Sequence, residues 1–224
     1  MYYSYLEDFI KNLYQTIGIN TPTELDMKSI AGCLNIELQF WDEPSEAVRD
    51  AGIPWIFINE KLSPKEQWQD FCHELCHALQ HVGDQRNLPV EFRLYQEVKA
   101  DNFMYNFCIP TFMLEDYEFP KYKWQAIQQI ANDFNVTIEF ASIRFNMYQN
   151  KKQQHLHREE WQHSQVADYQ STYSTEQDMD TEFNLDHEIL PDEVYDFFDL
   201  SVNKEAKVEG IIEFIKHIRE KQMR

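Results

Sequence analysis

Residues 70–81 read DFCHELCHALQH, with histidines at every fourth position, a glutamate after the first, and two cysteines between them. The heart of the stretch, His73-Glu74-Leu75-Cys76-His77, has the H-E-x-x-H pattern. On a helix, residues four apart point the same way and lie one turn apart, so His73 and His77 can offer two imidazoles to one zinc ion. Glu74 is rotated off that line, where it can take a proton from water that the metal has acidified. His81 extends the stripe but lies two turns from His73, about 12 Å, so a single ion cannot take both. Cys72 and Cys76 are also four apart. Buried cysteine packs as a small apolar residue, and a mixed thiol site would compete with a better imidazole and carboxylate set.

A catalytic zinc takes three protein ligands and keeps one position open, so a ligand must come from outside this stretch. RLYQEVKADNFMYNFCIP, residues 93–110, is a second helix carrying Glu97 and Asp101 on one face. If the two helices pack antiparallel, Glu97 reaches the metal. Asp101 then accepts a hydrogen bond from the far nitrogen of a ligand imidazole, fixing its tautomer and raising its basicity. Hydrolysis also needs a donor to the developing oxyanion. Arg93, Tyr95 and Tyr105 neighbour the ligand helix, and nothing in the sequence chooses among them.

The elements that must position these groups follow from periodicity. Leu6, Phe9, Ile10, Leu13, Tyr14 and Ile17 predict an amphipathic helix over residues 4–17, and a second helix is expected over Pro22–Leu34. Ile36, Leu38 and Phe40 alternate as in a half-buried strand, and Ile53–Asn59 is a second strand after an acidic, turn-rich stretch. Ser63, Pro64 and Glu66 form a helix start with a capping box, and Gly83 is its expected stop. The following helix opens at Pro89 and ends before Pro110. Thr111 and Thr137 are expected caps, with a helix over Trp124–Phe134 between them. The fold class is therefore α+β, a small sheet packed against a mostly helical body.

These segments together resemble the ImmA/IrrE family of zincin-like metallopeptidases. The resemblance runs through TPTELDMKSIAGCLNIEL, IFINEKLSPKEQWQDFCHELCHALQH and EVKADNFMYNFCIP, and more weakly through IANDFNVTIEFASIRF, over roughly residues 20–148. It implies that His73, His77 and Glu97 bind the metal and that Glu74 is the catalytic base. Histidine is common in the family at the position of His81, which implies a supporting role behind the ligands or at the helix end. Cys76 stands where the family usually has glycine, a change that could make the site sensitive to oxidation. By common zincin design, an extended substrate adds to the sheet edge near Ile53–Asn59. The implied activity is cleavage of a helix-turn-helix repressor that controls a prophage, mobile element or stress response. Zinc suits two imidazoles and a carboxylate best, and manganese or iron is tolerated.

The chain has 224 residues, 39 acids against 20 Lys and Arg, and a formal charge of -19. Such a charge repels a phosphate backbone, disfavouring direct nucleic-acid binding, and suits a basic protein partner. The weak helix-turn-helix look of IANDFNVTIEFASIRF is read as helix packing, since it has one arginine. No apolar run approaches a membrane span, and four cysteines with no apolar leader predict a cytoplasmic protein with reduced thiols. Composition shifts near residue 150. The metallopeptidase domain is assigned to residues 1–150, and an acidic extension to 151–224. The extension holds a glutamine-rich helix with His155, His157 and His163, a partly disordered run of eleven acids over Asp168–Asp199, and a terminal helix bearing Val208, Ile211, Ile212, Ile215 and Ile218. An alternative reading is an acidic protein that relieves repression by sequestering a basic repressor with little or no hydrolysis.

Overall fold

Ser4 and Glu7 exchange backbone and side-chain hydrogen bonds in a capping box that opens α1 (Tyr5–Ile17), and Gly18 closes it at φ 79°. The six apolar residues expected on one face are all buried. In this computed structural model, residues 3–50, 52–80 and 90–173 are described. The expected helix over Pro22–Leu34 is instead two pieces, a 3-10 turn (Pro22–Glu24) and α2 (Met27–Cys33). Asp26 accepts from the Ser29 backbone N–H and so caps a fresh helix, which breaks the continuity.

Three strands follow: β1 (Glu37–Trp41), β2 (Glu46–Asp50) and β3 (Ile53–Asn59). Their order is β1-β3-β2, with β3 parallel to β1 and antiparallel to β2. Gly52 at φ 88° serves the tight turn between β2 and β3. β3 is therefore the central strand, which corrects the expectation that an incoming peptide adds to it. Both of its edges are already paired, and among the described residues β1 and β2 are the outer strands. The inner face of β3 buries Ile56 and Ile58 completely.

α3 (Pro64–Gln80) starts as expected, the Ser63 N–H donating to Glu66 Oε2 at 2.9 Å. Its expected stop at Gly83 lies outside the described residues. α4 (Val90–Cys108) runs back along α3. Phe71, Leu75, Cys72 and Cys76 of α3 and Ala100, Phe103 and Phe107 of α4 are all at most 1% exposed. Tyr14 anchors α1 to this pair, donating to the Phe107 carbonyl at 2.9 Å while stacking on its ring.

α5 (Thr111–Glu115), α6 (Lys123–Asp133) and α7 (Ile138–Tyr173) complete the described chain. Thr137 caps α7 as expected, accepting from the Phe140 N–H at 3.3 Å. Thr111 does not cap α5. Pro110 takes that position, and the Thr111 hydroxyl donates to Glu7 Oε1 at 2.6 Å and accepts from the Arg144 guanidinium at 2.7 Å. Arg144 also donates to the Ile109 carbonyl, and Lys151 pairs with Glu7. Ile130, Ala131, Phe134, Val136 and Phe140 are buried around the α6–α7 turn, which is therefore used for packing. α7 passes residue 150 without a break, and among the described residues no helix is long and apolar enough to cross a membrane.

Arg144 and Glu7 are 2% and 6% exposed, so their polar groups rely on partners inside the fold. Thr111→Val keeps the shape and removes the hydroxyl that bridges them. The expected cost is about 1–3 kcal/mol, read as a lower urea midpoint at unchanged m-value. A loss under about 0.5 kcal/mol would show that this bridge contributes little.

Candidate metal centre

α3 presents three different faces along its length. Phe71, Cys72, Leu75 and Cys76 face the core, and His73 and His77 look toward α4. Asp70, Glu74 and Ala78, spaced by four, meet residues spaced by two on β2 and just before it. Ser45 Oγ donates to Asp70 Oδ2 at 2.6 Å, the Ala47 N–H donates to the Glu74 carboxylate, and Arg49 Nη2 donates to the Ala78 carbonyl at 3.0 Å. The repeats match because four helical residues rise about 6 Å and two strand residues about 6.7 Å. β2 is thereby laid along the helix beside Glu74.

On the other side, α4 brings Glu97 and Asp101 to the histidines. His73 Nε2 lies 3.1 Å from His77 Nε2 and 3.2 Å from Glu97 Oε2, and His77 Nε2 lies 3.7 Å from Glu97 Oε1. One ligand atom from each of the three residues falls within 4.8 Å of the others. Asp101 Oδ1 sits 3.1 Å from His73 Nδ1, the arrangement that puts the proton on Nδ1 and leaves Nε2 a bare lone pair.

The donor set fits a metal ion. With Asp101 on Nδ1, a neutral His73 turns a lone pair toward the Glu97 carboxylate and toward His77, and such contacts repel without a cation or a shared proton. Tetrahedral ligands bound at about 2.0–2.1 Å stand about 3.3 Å apart, close to these separations. Burial, then His73, holds His77 below the usual imidazole range, which favours the neutral form that binds metal. Burial and, to a lesser degree, the carboxylates of Asp70, Glu97 and Glu46 push Glu74 up to about 8, against the opposing Ala47 N–H.

Tyr95 and Glu97 are two residues apart on α4 and so project about 200° apart, and the Tyr95 ring is under the Lys99 ammonium. Arg93 is one turn before Glu97 on its side of the helix. Tyr105 is one turn beyond Asp101, its ring stacked on Phe140. Cys72 and Cys76 are wholly buried, and burial pushes both thiols well above the usual range, as packing residues rather than ligands. His155 and His157 lie on α7, and His81 lies outside the described residues.

β2 was the element missed from sequence. EAVRD is short, mostly polar and embedded in an acidic stretch, so alternation alone does not reveal it. The signal that could have found it is Gly52, at the turn position of a two-residue hairpin that requires a strand just before Ile53.

A model of the IrrE N-terminal-like domain, peptidase family M78, matches residues 31–146, which include His73, Glu74, His77, Glu97 and Asp101. The chain is 46% identical over 151 residues to phage-like element PBSX protein XkdA of Bacillus subtilis strain 168, covering 67% of this chain and 76% of that one. It is 39% identical over 153 residues to uncharacterized protein YqaB of the same strain, covering 68% of this chain and 89% of that one. On the matched length, the α+β architecture and these identities, the chain belongs to the ImmA/IrrE family of peptidases.

Proposed function

We propose that this chain is a zinc-dependent endopeptidase in which His73, His77 and Glu97 hold the ion and Glu74 is the base. The observation that carries the reading is the convergence of three donor atoms within 4.8 Å, with Asp101 behind His73. A divalent cation bound there supplies positive charge that polarises a scissile carbonyl and acidifies water. Glu74, on the same helix and between the ligands and β2, accepts a proton from the attacking water and returns it to the leaving amine. Asp101 holds the His73 ring in one tautomer. The free edge of β2 runs past Glu74, so an extended peptide laid along it passes the base.

The substrate we infer is a basic helix-turn-helix repressor of a prophage or mobile element, met in the cytoplasm. Its support is the family, a relative named for a phage-like element, and the -19 charge, which favours a cationic protein over nucleic acid or membrane. Residues 1–150 form the catalytic unit in this reading and 151–224 an acidic extension. The same charge favours a second reading, relief of repression by sequestration alone.

Glu74→Gln separates the two. It is expected to keep about one equivalent of metal, lose at least about 100-fold in cleavage and fail to relieve repression. Full relief with an intact repressor, assayed by blotting alongside a reporter, would favour sequestration. Glu97→Ala is expected to lose bound metal by elemental analysis, and full retention would remove Glu97 from the site. Asp101→Asn should weaken metal affinity about 10–100-fold in a chelator competition. An unchanged affinity would leave Asp101 without the orienting role.

A further inference from the structure

The outer face of the sheet points away from α3 and has no part in the metal cluster. Register fixes its composition. Down the central strand stand Ile53, Trp55 and Phe57, side chains opposite in direction to the buried Ile56 and Ile58. Across from them on β1 are Glu37, beside Trp55, and Gln39, beside Phe57, with Trp41 at the end of the row. On β2 are Glu46, beside Phe57, Val48, beside Trp55, and Asp50, beside Ile53.

This is an aromatic column with carboxylates on both flanks, and none of these positions is Lys, Arg or His. Ile53 is 43% exposed, and Trp41, Trp55 and Phe57 are half-buried. The rings are ordered against one another, Trp41 lying 4.7 Å from Phe57 and Phe57 6.0 Å from Trp55 at 14° between planes. The Trp41 indole is held further by donating to the Pro44 carbonyl at 3.1 Å. The nearby Arg49 guanidinium does not neutralise this face, because it is turned to the Ala78 and Gly52 carbonyls.

We propose that this face is a docking strip for a cationic, amphipathic segment of the protein substrate, an exosite that adjoins the cleavage cleft across β2. Aromatic faces attract Lys and Arg head groups, and flanking carboxylates pair with them while the apolar stems lie on the rings. An apolar surface alone would not select a partner. Here the carboxylates on both sides choose a positive one and reject phosphate. The inference rests on the proposed peptidase reading for the identity of the partner, and on the sheet alone for its chemistry. Docking outside the scissile segment lets a short cleavage sequence be recognised by the folded protein that carries it.

The test uses the full chain labelled with 5-fluorotryptophan and a synthetic 20-residue amphipathic peptide of Leu, Lys and Arg at helical spacing. Resonances are assigned by single Trp→Phe variants. The peptide is expected to shift Trp41 and Trp55 and leave the core Trp68 unmoved. The triple variant Glu37→Lys, Glu46→Lys, Asp50→Lys should bind at least tenfold more weakly. A control triple at the exposed Asp116, Glu118 and Glu139 should change affinity less than threefold. Equal losses in both triples would reduce the effect to overall charge and overturn the strip. Movement of Trp41 and Trp55 with protein concentration alone would make the occupant a second copy and overturn it too. The peptidase reading is read separately on the unaltered chain, where docking of the peptide with no metal-dependent cleavage of a repressor would sink that reading and leave the strip standing.

Discussion

Two imidazole nitrogens and a carboxylate are held together where their lone pairs repel unless a cation or a shared proton sits among them. His73 Nε2, His77 Nε2 and the Glu97 carboxylate are brought there by two packed helices. Each fully buried Phe or Leu contributes about 1.5–3 kcal/mol, and Phe71, Leu75, Phe103 and Phe107 are all buried between or beside these helices. Burial of that order holds the two helices in register while their donor atoms converge.

The same helix carries every role near the site because 3.6 residues per turn separates its faces. Core residues at 71, 72, 75 and 76 fix its height and rotation against α4. That rotation sets His73 and His77 toward Glu97, and it also sets Asp70, Glu74 and Ala78 along β2. Glu74 is thus constrained from two directions, by its own helix and by the Ala47 N–H. Rotating α3 to improve one face would spoil the other two. The β2 hairpin lies beside the candidate site for this reason, although none of its described side chains joins His73, His77 and Glu97.

What was legible in the sequence follows the range of the forces involved. α1, α3 and α4 have local caps and strong periodicity, and the i, i+4 pairs His73/His77 and Glu97/Asp101 need only helical geometry to be seen. β2 depended on a long-range partner. Its residues are mostly polar because one edge faces solvent, so the alternation that betrays a strand is weak. Calling Ile53–Asn59 an edge was the consequence of missing it. Thr111 misled in another way: a threonine after proline looks like a cap, but its hydroxyl is used by Glu7 and Arg144, 104 and 33 residues away. Local rules cannot anticipate a buried pair assembled from three distant segments.

Cys76 shows how a departure from a family pattern is judged by where the side chain goes. The resemblance places glycine between His73 and His77, and a thiol there raises the prospect of a competing ligand or an oxidisable group. The structure turns Cys76 into the core at 0% exposure, with its thiol pushed up by burial. A thiol that stays protonated is a poor metal ligand and a slow nucleophile. Relative to glycine, it also restricts the unfolded chain and suits a helix interior better by a few tenths of a kcal/mol. The substitution therefore strengthens the helix that presents His73 and His77 without entering the chemistry between them.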